Sequence, residues 1–331
     1  MIDISVGIPT YNGASHLPEL LARLCEQINL ENISWEVIVV DNNSTDHTAE
    51  VIAQHQLNWP AAFPLKYYFE PQQGAAFARE RVIEEARGKF VAFLDDDNLP
   101  TPHWVAAAYA FGQANSRIGA YGSQIHGDFE VEPTASLKKL TTYLAIIERG
   151  AKPHRYEPKQ MVLPPGAGLV VRREAWQQAV PKQLFLNHQG REAGLASEDL
   201  EVVLHIQKAG WEIWYNPDME IYHKIPSWRL EKEYLLSVMR CVGLSRHHIR
   251  MLRCKTWQRP LATVAYLVND CRKLLQYDFK HRQQRKDLAV ACQEQLLLSI
   301  LVSPFFLWKK RYQDWANQLA YKHSAARVKN A

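Results

Sequence analysis

The sequence predicts an α/β fold: a mostly parallel sheet flanked by helices, followed by a helical C-terminal extension. Three observations predict it. Strand-like and helix-like segments alternate through residues 4–95, polar side chains follow each predicted strand, and the region from residue 229 onward has the pattern of several amphipathic helices. The chain has 331 residues and is 47% hydrophobic. This is an ordinary globular composition that allows one large domain or two smaller ones.

Apolar runs rich in Val and Ile alternate with amphipathic segments in the N-terminal part of the chain. The predicted strands are residues 4–9, 35–41, 65–70 and 89–95. The predicted helices between them are residues 15–28, 44–56 and 74–88. In the first of these helices Leu17, Leu20 and Leu24 recur at helical spacing. Such alternation is the signature of a parallel sheet with helices on both faces.

Each predicted strand is followed by acids, amides or hydroxyls. The segments in question are residues 9–13, 41–46, 70–74 and 95–97. Ligands of parallel sheets bind beyond the carboxyl ends of the strands, so these segments predict one shared ligand site. The first segment contains neither the G-x-G-x-x-G motif of dinucleotide-binding folds nor the G-x-x-x-x-G-K-[ST] motif of P-loops.

Three consecutive aspartates, Asp95, Asp96 and Asp97, follow the fourth predicted strand. No nearby residue in the sequence neutralises them, so positive charge must come from elsewhere. Carboxylate oxygens suit Mg²⁺ or Mn²⁺, and such an ion can bridge a protein carboxylate and a diphosphate. The motif therefore predicts a divalent cation and a phosphorylated ligand. The alternative interpretation is a solvated acidic turn. An EF-hand is excluded because its following Gly and distal Glu are missing.

Two further candidate sites lie later in the chain. Ser197, Glu198 and Asp199 precede a predicted helix that stops at Gly210. Their position alone leaves two interpretations open, a functional acid and a simple helix start in which Ser197 is the cap and the acids favour its positive end. His223 follows an aromatic strand and is either a ligand or a packed core residue.

Charge is distributed unevenly along the chain. Residues 229–331 contain 20 Lys and Arg against 7 Asp and Glu, a net charge of +13, whereas residues 1–228 carry a net charge of −9. A basic region predicts an anionic partner: nucleic acid, a phospholipid surface or a charged glycan. No nucleic-acid-binding module is recognised, so we expect no nucleic-acid partner.

The run 296–308 is apolar, is interrupted by Pro304 and is followed by three basic residues. A membrane span needs about 20 residues, so this run predicts an interfacial helix on an anionic membrane. The alternative is a helix packed on the rest of the protein. The start of the chain has neither a basic nor a long apolar stretch, and the five cysteines form no CxxC pair. We therefore expect a cytoplasmic protein, with a peripheral position on the inner face of the membrane as the variant that the basic region favours.

Four motifs occur in the order found in family 2 glycosyltransferases: ISVGIPTYNG, VIVVDNNSTD, QQGAAFARERVIEEARGKFVAFLDDDNLP and GLASEDLEVVLHIQKAGWEIWYNPDMEIYHK. The chain resembles this family over about residues 1–228. With its GAGLVVRREAW segment and helical C-terminal part, it looks most like bacterial exopolysaccharide transferases, including the hormogonium polysaccharide type. The resemblance implies a GT-A catalytic domain with a nucleotide-sugar half at about 1–100 and an acceptor half at about 101–228. Residues 229–331 would form the basic helical region.

The implied activity is metal-dependent transfer, with inversion, of a sugar from a nucleotide diphosphate donor to a glycan or lipid-linked acceptor. A UDP-sugar is the favoured donor, and Mn²⁺ or Mg²⁺ is the implied cofactor. The processive synthases of the family carry a Q-x-x-R-W motif, which this sequence lacks. We therefore expect no processivity of the cellulose or hyaluronan type.

The resemblance also assigns roles to individual residues. The nucleotide-sugar-binding residues would be Pro9, Tyr11, Asn12, Asp41, Arg79, Asp95 and Asp96. Among them Asp41 would bond the base, Arg79 would lie near the diphosphate and Asp95 would meet the ribose. The metal ligands would be Asp97 and His223, and Asp199 would be the catalytic base with Glu198 as the second candidate. One departure is Glu80, which replaces the Asn of the A-R-N-x-G stretch of the family.

Two other functions fit parts of the sequence. A sugar nucleotidyltransferase has a related sheet, but it needs a Gly-rich loop with Arg and Lys after the first strand, and PTYNG supplies neither cation. A degenerate transferase that only binds glycan or anchors an assembly would not need intact DDD and SED motifs. The sugar, the acceptor, the linkage and the oligomeric state are not predicted.

Overall fold

The structure is a computed structural model, and it describes residues 2–158, 162–187, 195–284 and 286–329. The chain forms two compact units, Met1–Tyr234 and Leu235–Ala331. The sequence-based boundary after residue 228 stays a prediction of where the catalytic domain ends.

Within the described residues, the first unit contains a sheet of nine strands. The strands are β1 (Ile4–Thr10), β2 (Trp35–Asp41), β3 (Leu65–Phe69), β4 (Phe90–Phe93), β5 (Asn98–Pro100), β6 (Ile118–Phe129), β7 (His154–Arg155), β8 (Val170–Arg172) and β9 (Glu212–Ile225). Their spatial order is β3-β2-β1-β4-β8-β6-β9-β5, and β7 pairs with β9 beside this path. The predicted α/β class with a flanked sheet is confirmed.

The four strands predicted from the sequence are β1 to β4, and they are parallel to one another. The second half of the sheet is mixed, because β8 runs antiparallel to β4 and β6, and β5 runs antiparallel to β9. The carboxyl ends of β1 and β2 are in register, with Thr10 opposite Asp41. The polar segments after these parallel strands therefore lie at one edge of the sheet.

Helices cover the sheet of the first unit. They are α1 (Leu17–Cys25), α2 (Thr48–Leu57), α3 (Ala75–Glu85), α4 (Trp104–Ala114), α5 (Arg173–Ala179) and α6 (Glu198–Lys208). Helix α1 buries Leu17, Leu20 and Leu24 completely, as its spacing predicts, and burial of each such side chain contributes about 1.5–3 kcal/mol. Helix α3 packs closely on β1, since a Cβ added at Gly7 would lie 2.2 Å from Val82 Cγ1.

The second unit is helical, as predicted. Helix α7 spans Lys232–Arg253, α8 spans Arg259–His281 and α9 spans Leu288–Lys329. Helices α7 and α9 approach closely at Gly243, where an added Cβ would meet Ser299 Cβ at 2.5 Å. The Arg250 guanidinium on α7 donates to the Asp270 carboxylate on α8 at 2.9 Å. Backbone packing and a shielded ion pair therefore join the helices of this unit.

Helix α9 continues through Pro304, so the expected interruption there is wrong. An interior proline costs a helix about 3 kcal/mol, but α9 packs on α7 at this point, where the adjacent Ser303 hydroxyl donates to the Leu244 carbonyl at 2.5 Å. The segment Leu288–Gln313, 26 residues, is long and apolar enough to cross a membrane, and 33% of its most apolar window is buried. The apolar helical segment is therefore longer than the run 296–308 from which an interfacial helix was predicted.

Candidate active site

The predicted nucleotide pocket, at the edge of the sheet where β1 and β2 end, contains several hydrogen-bonded polar side chains. The Asp41 carboxylate is 3% exposed and accepts hydrogen bonds from the Ser44 N–H at 2.9 Å and the Tyr67 hydroxyl at 3.0 Å. Burial and the neighbouring Asp41 raise the pKa of Tyr67 to about 12, so the hydroxyl stays a donor. Asn12 has a left-handed backbone with φ of 56° and its Oδ1 accepts from the Thr45 N–H at 2.8 Å.

The two remaining residues predicted for this pocket lie beside Asn12. Pro9 lies on β1 opposite Val40 and is half-buried, whereas Tyr11 is 42% exposed. Thr10, between them, connects the pocket to the aspartates, because its hydroxyl donates to Asp96 Oδ2 at 2.5 Å.

The fold directs the three consecutive aspartates to three different partners. Asp95 Oδ1 accepts from Arg79 at 3.0 Å. The Asp96 carboxylate accepts from Thr10 and lies 3.7 Å from His16 Nδ1, and this contact raises the pKa of His16. The third aspartate, Asp97, accepts from Arg229 Nη2 at 2.6 Å. The three like charges that the sequence places side by side therefore have different partners in the folded protein.

The Asp97 carboxylate is 6% exposed and lies beside the Arg229 guanidinium and the His223 imidazole. Its Oδ2 accepts from Arg229 Nη2 at 2.6 Å and lies 3.3 Å from His223 Nε2, while Oδ1 accepts from the Asn98 amide at 3.0 Å. Burial by itself would raise the pKa of Asp97, but the Arg229 guanidinium that pairs with it holds the pKa well below its usual value. Asp97 is thus a carboxylate anion at any physiological pH.

Arg79 connects the aspartate motif to the acids of α6. Its guanidinium, 8% exposed, donates to Glu198 Oε1 at 2.7 Å and to Asp95 Oδ1 at 3.0 Å. Burial opposes its charge, but the surrounding carboxylates raise the pKa of Arg79 further above its ordinary value. Burial raises the pKa of Asp95, and Arg79 partly offsets this rise. Both terminal nitrogens of Arg79 are therefore committed to protein carboxylates.

Asp199 lies in the first turn of α6, held by two backbone donors. Oδ2 accepts from the Gly166 N–H at 2.6 Å and Oδ1 from the Leu200 N–H at 2.7 Å. Burial and the neighbouring Glu198 raise the pKa of Asp199 to about 6. A carboxylate whose pKa lies just below neutrality combines a charged form with useful basicity, which is what a general base requires. Ser197, the alternative cap, makes no side-chain capping bond in the described structure.

Gly166 brings the turn before β8 into this site. A Cβ added there would lie 2.8 Å from Arg79 Nη2 and 3.2 Å from Asp199 Cβ. A side chain at this position would push against the paired Arg79 guanidinium and the Asp199 side chain. The structure therefore brings Arg79, Asp95, Glu198 and Asp199 into one contiguous cluster, with Asp97 and His223 next to it.

The residues present fit a divalent cation whose remaining coordination positions are filled by a bound substrate and water. Asp97 Oδ2 and His223 Nε2, an oxygen and a nitrogen 3.3 Å apart, can both face one ion. Among the described residues, no group of three His, Cys, Asp or Glu side chains forms a full metal cage. Mg²⁺ and similar ions are commonly held by one or two protein ligands together with substrate phosphates and water, so a two-residue set suits a diphosphate substrate.

Two partners in the site were not predicted from the sequence. Arg229 contacts both Asp97 and His223 but lies in a short 3-10 helix, Ser227–Leu230, with no recognisable motif. Glu80, the departure from the family stretch, accepts from the Trp176 indole N–H at 3.0 Å. Both contacts depend on long-range folding, and no local pattern in the sequence indicates them.

This fold and the polar edge that it builds define a glycosyltransferase of the GT-A class. The model of the family described as Glycosyl transferase family 2 matches residues 5–176, more than half of the chain. The protein belongs to glycosyltransferase family 2, and the predicted family and enzyme class are confirmed.

Related glycosyltransferases match over parts of the chain. A putative teichuronic acid biosynthesis glycosyltransferase, TuaG of Bacillus subtilis, is 34% identical over 95 residues, which is 29% of this chain and 36% of TuaG. An uncharacterised glycosyltransferase of Nostoc, alr2836, is 30% identical over 184 residues, or 54% of this chain and 53% of the relative. The chain thus spans between a third and about half of the length of these relatives.

Solved structures share the fold over most of the chain. The mannosyltransferase PcManGT from Pyrobaculum calidifontis, in complex with GDP-Man and Mn²⁺, superposes with a TM-score of 0.59 at 19% identity, covering 93% of this chain and 87% of that one. S. aureus TarS 1–349 in complex with UDP-GlcNAc gives a TM-score of 0.52 at 16% identity, with 95% and 92% covered. At these identities the likeness shows the GT-A fold alone.

Proposed function

We propose that this protein is a metal-dependent inverting glycosyltransferase that moves a sugar from a nucleotide diphosphate to a hydroxyl of a glycan or lipid-linked acceptor. The observation that carries the proposal is that Asp199, whose pKa is about 6, lies near the Asp97 and His223 pair. The Arg79 guanidinium links the two places, because it bonds both Glu198, next to Asp199, and Asp95. In this arrangement Asp199 accepts a proton, and the Asp97 and His223 pair lies where the diphosphate binds.

Asp199 accepts the proton of the acceptor hydroxyl as that oxygen attacks the anomeric carbon. The bond from carbon to the diphosphate breaks in the same displacement, so the centre inverts and no protein nucleophile is needed. Asp97 and His223 would hold Mn²⁺ or Mg²⁺, which supplies positive charge for the leaving diphosphate. Arg79 keeps Glu198 paired, which leaves Asp199 as the acid available to the acceptor.

The proposed donor is a nucleotide sugar, with UDP-sugars favoured. Asp41, held by Ser44 and Tyr67 at the end of β2, is the proposed partner of the base. PcManGT was solved with GDP-Man and TarS with UDP-GlcNAc, so the fold accommodates both kinds of nucleotide. The proposed Pro9, Tyr11 and Asn12 contacts to the nucleotide lie at the neighbouring end of β1.

We expect the purified chain to hydrolyse or transfer at least one nucleotide sugar, faster with Mn²⁺ than with EDTA. Screening UDP-, GDP- and TDP-sugars for nucleoside diphosphate release measures this. A nucleotidyltransferase would instead release pyrophosphate from a nucleoside triphosphate and a sugar phosphate. A degenerate transferase would bind donors without turnover. Release of pyrophosphate, or binding without any turnover on every donor tested, would contradict the proposal.

We propose further that the second unit attaches to an anionic membrane surface. Helix α8 exposes apolar side chains that recur at helical spacing along one row: Leu261, Val264, Val268, Leu275 and Phe279. Helix α9 does the same with Leu298, Val302, Phe305, Trp308 and Tyr312. Together with the net charge of +13 over residues 229–331, exposed apolar rows favour an interfacial location, with electrostatics contributing about 1 kcal/mol per basic residue near the surface.

The double variant Phe305→Ser/Trp308→Ser should bind anionic vesicles several-fold less than the unaltered chain, because these side chains are 60% and 75% exposed and their transfer into the interface contributes to binding. Co-sedimentation with anionic and neutral vesicles measures this. Leu57→Ser, at an 85% exposed position of the first unit, is the matched control and should bind normally. Equal binding to both lipid types would remove the electrostatic component, and no binding by the full chain at low salt would refute the attachment.

A further inference from the structure

The guanidinium of Arg229 lies where both proposed metal ligands direct their lone pairs. Nη2 donates to Asp97 Oδ2 at 2.6 Å, and Nη1 lies 2.8 Å from His223 Nε2. A guanidinium has donors and no acceptor, so His223 uses the lone pair of Nε2 in this contact. Asp97 Oδ2 and His223 Nε2 therefore present to Arg229 the same atoms that a divalent cation would need.

The surroundings of Arg229 hold it in a defined position. The segment after β9 is anchored by the Ser227 N–H, which donates to Glu130 at 2.7 Å, and by the Arg229 N–H, which donates to the Pro226 carbonyl at 2.9 Å. The guanidinium also lies 5.4 Å from the centre of the Trp228 ring. Its Nε is buried and has no hydrogen-bond partner in the described part of the chain, so the guanidinium is not fully satisfied in this position.

We propose that Arg229 is an internal counter-ion of Asp97 that a divalent cation displaces, and that the displaced guanidinium then binds the donor diphosphate. This inference rests on the proposed role of Asp97 and His223 as cation ligands. It makes cation and donor binding interdependent, with Arg229 as the positioning residue that couples them.

Charge explains why the displacement of Arg229 needs both the cation and the diphosphate. A divalent cation at Asp97 and His223 would lie against a guanidinium that it repels, so the cation alone must break the ion pair between Arg229 and Asp97 and leave Arg229 unpaired. A diphosphate brings new acceptors, and arginine binds phosphate oxygens with two parallel hydrogen bonds. The donor thus compensates for the lost ion pair. By linkage, the nucleotide raises cation affinity by the same factor as the cation raises nucleotide affinity.

The test is calorimetric titration with MnCl₂ and with UDP, each with and without the other, on the full chain. Arg229→Met should bind Mn²⁺ alone about tenfold more tightly than the unaltered chain, because no charge-assisted pair has to break. The same variant should bind UDP in saturating Mn²⁺ about tenfold more weakly, because a phosphate partner is lost. The two opposite changes in one variant are a signature that a merely structural role of Arg229 does not produce.

Arg155→Met removes the same charge from an exposed site, where Arg155 pairs with Glu157 at 2.8 Å, and both affinities should stay unchanged. Arg229→Lys keeps the charge and should retain the weak binding of Mn²⁺ alone, even if Arg229→Met folds poorly by thermal melting. Equal Mn²⁺ affinity of the unaltered chain and Arg229→Met without UDP would overturn the inference. UDP binding that neither Mn²⁺ nor EDTA affects would overturn the metal role itself, and this inference with it.

Discussion

Asp199→Asn should reduce sugar transfer about 100- to 10,000-fold while donor binding persists. An amide cannot accept the proton of the acceptor hydroxyl, and loss of a general base typically costs this factor. The side chain keeps its shape, but the amide has a single oxygen for the Gly166 and Leu200 backbone donors, at 2.6 and 2.7 Å in the native protein, so one of these two hydrogen bonds is lost. Initial rates of transfer and titration of the nucleotide, with circular dichroism as a check on folding, measure the two effects separately.

The control for this variant is Asp218→Asn, which removes the same charge from an exposed position of β9 and should leave transfer unchanged. The pH profile gives a second readout. Because burial and Glu198 raise the pKa of Asp199 to about 6, kcat/KM of the native enzyme should be full above this value and fall as pH drops through it. Near-normal transfer by Asp199→Asn, with the acid limb of the profile intact, would show that Glu198 or another acid is the base.

Asp97→Asn should abolish the enhancement of UDP binding by Mn²⁺. The substitution removes the charge that attracts the cation, and it leaves the Arg229 guanidinium, 2.6 Å from Asp97 in the native protein, without its anionic partner. Removing one partner of a buried pair is typically destabilising by about 3–5 kcal/mol, so we also expect a lower melting temperature. Titration of UDP with and without Mn²⁺ measures the enhancement, and differential scanning calorimetry measures the stability.

The neighbouring aspartate supplies a matched comparison. Asp96→Asn changes the same type of side chain one position earlier, where the carboxylate accepts from Thr10 at 2.5 Å and lies 3.7 Å from His16 Nδ1. The Mn²⁺ enhancement of UDP binding should survive in this variant. If Asp97→Asn retains the full enhancement, Asp97 is not a ligand of the cation.

Local periodicity accounts for what could be predicted of the fold. Strand β2 was predicted at residues 35–41 and spans Trp35–Asp41, because its β-branched run Val37–Val40 is typical of a strand buried on both faces of a parallel sheet. The antiparallel strands β5 and β8 are three residues long, and their pairing depends on segments far away in the chain. No local pattern indicates such short strands.

The candidate site divides in the same way. Asp97 and Asp199 could be proposed from motifs at a strand end and at a helix start. The contact between Arg229 and Asp97 joins residues 132 positions apart, and the sequence around Arg229 carries no sign of it. The different environments of Asp95, Asp96 and Asp97 were equally invisible, because three identical neighbours in sequence acquire different partners only when the surrounding loops meet.

Arg79 has a consequence for the energetics of catalysis. Its guanidinium holds Asp95 at 3.0 Å and Glu198, the neighbour of the proposed base Asp199, at 2.7 Å. These two ion pairs are made within the protein, so the Arg79 guanidinium and its two carboxylates need no substrate contact to hold their orientation. An enzyme arranged in this way spends little free energy on reorganising its surroundings as charge moves in the transition state, whereas water would have to reorient around every new charge. The buried Arg79 thus preorganises its two carboxylate partners and lowers the free energy of reorganisation.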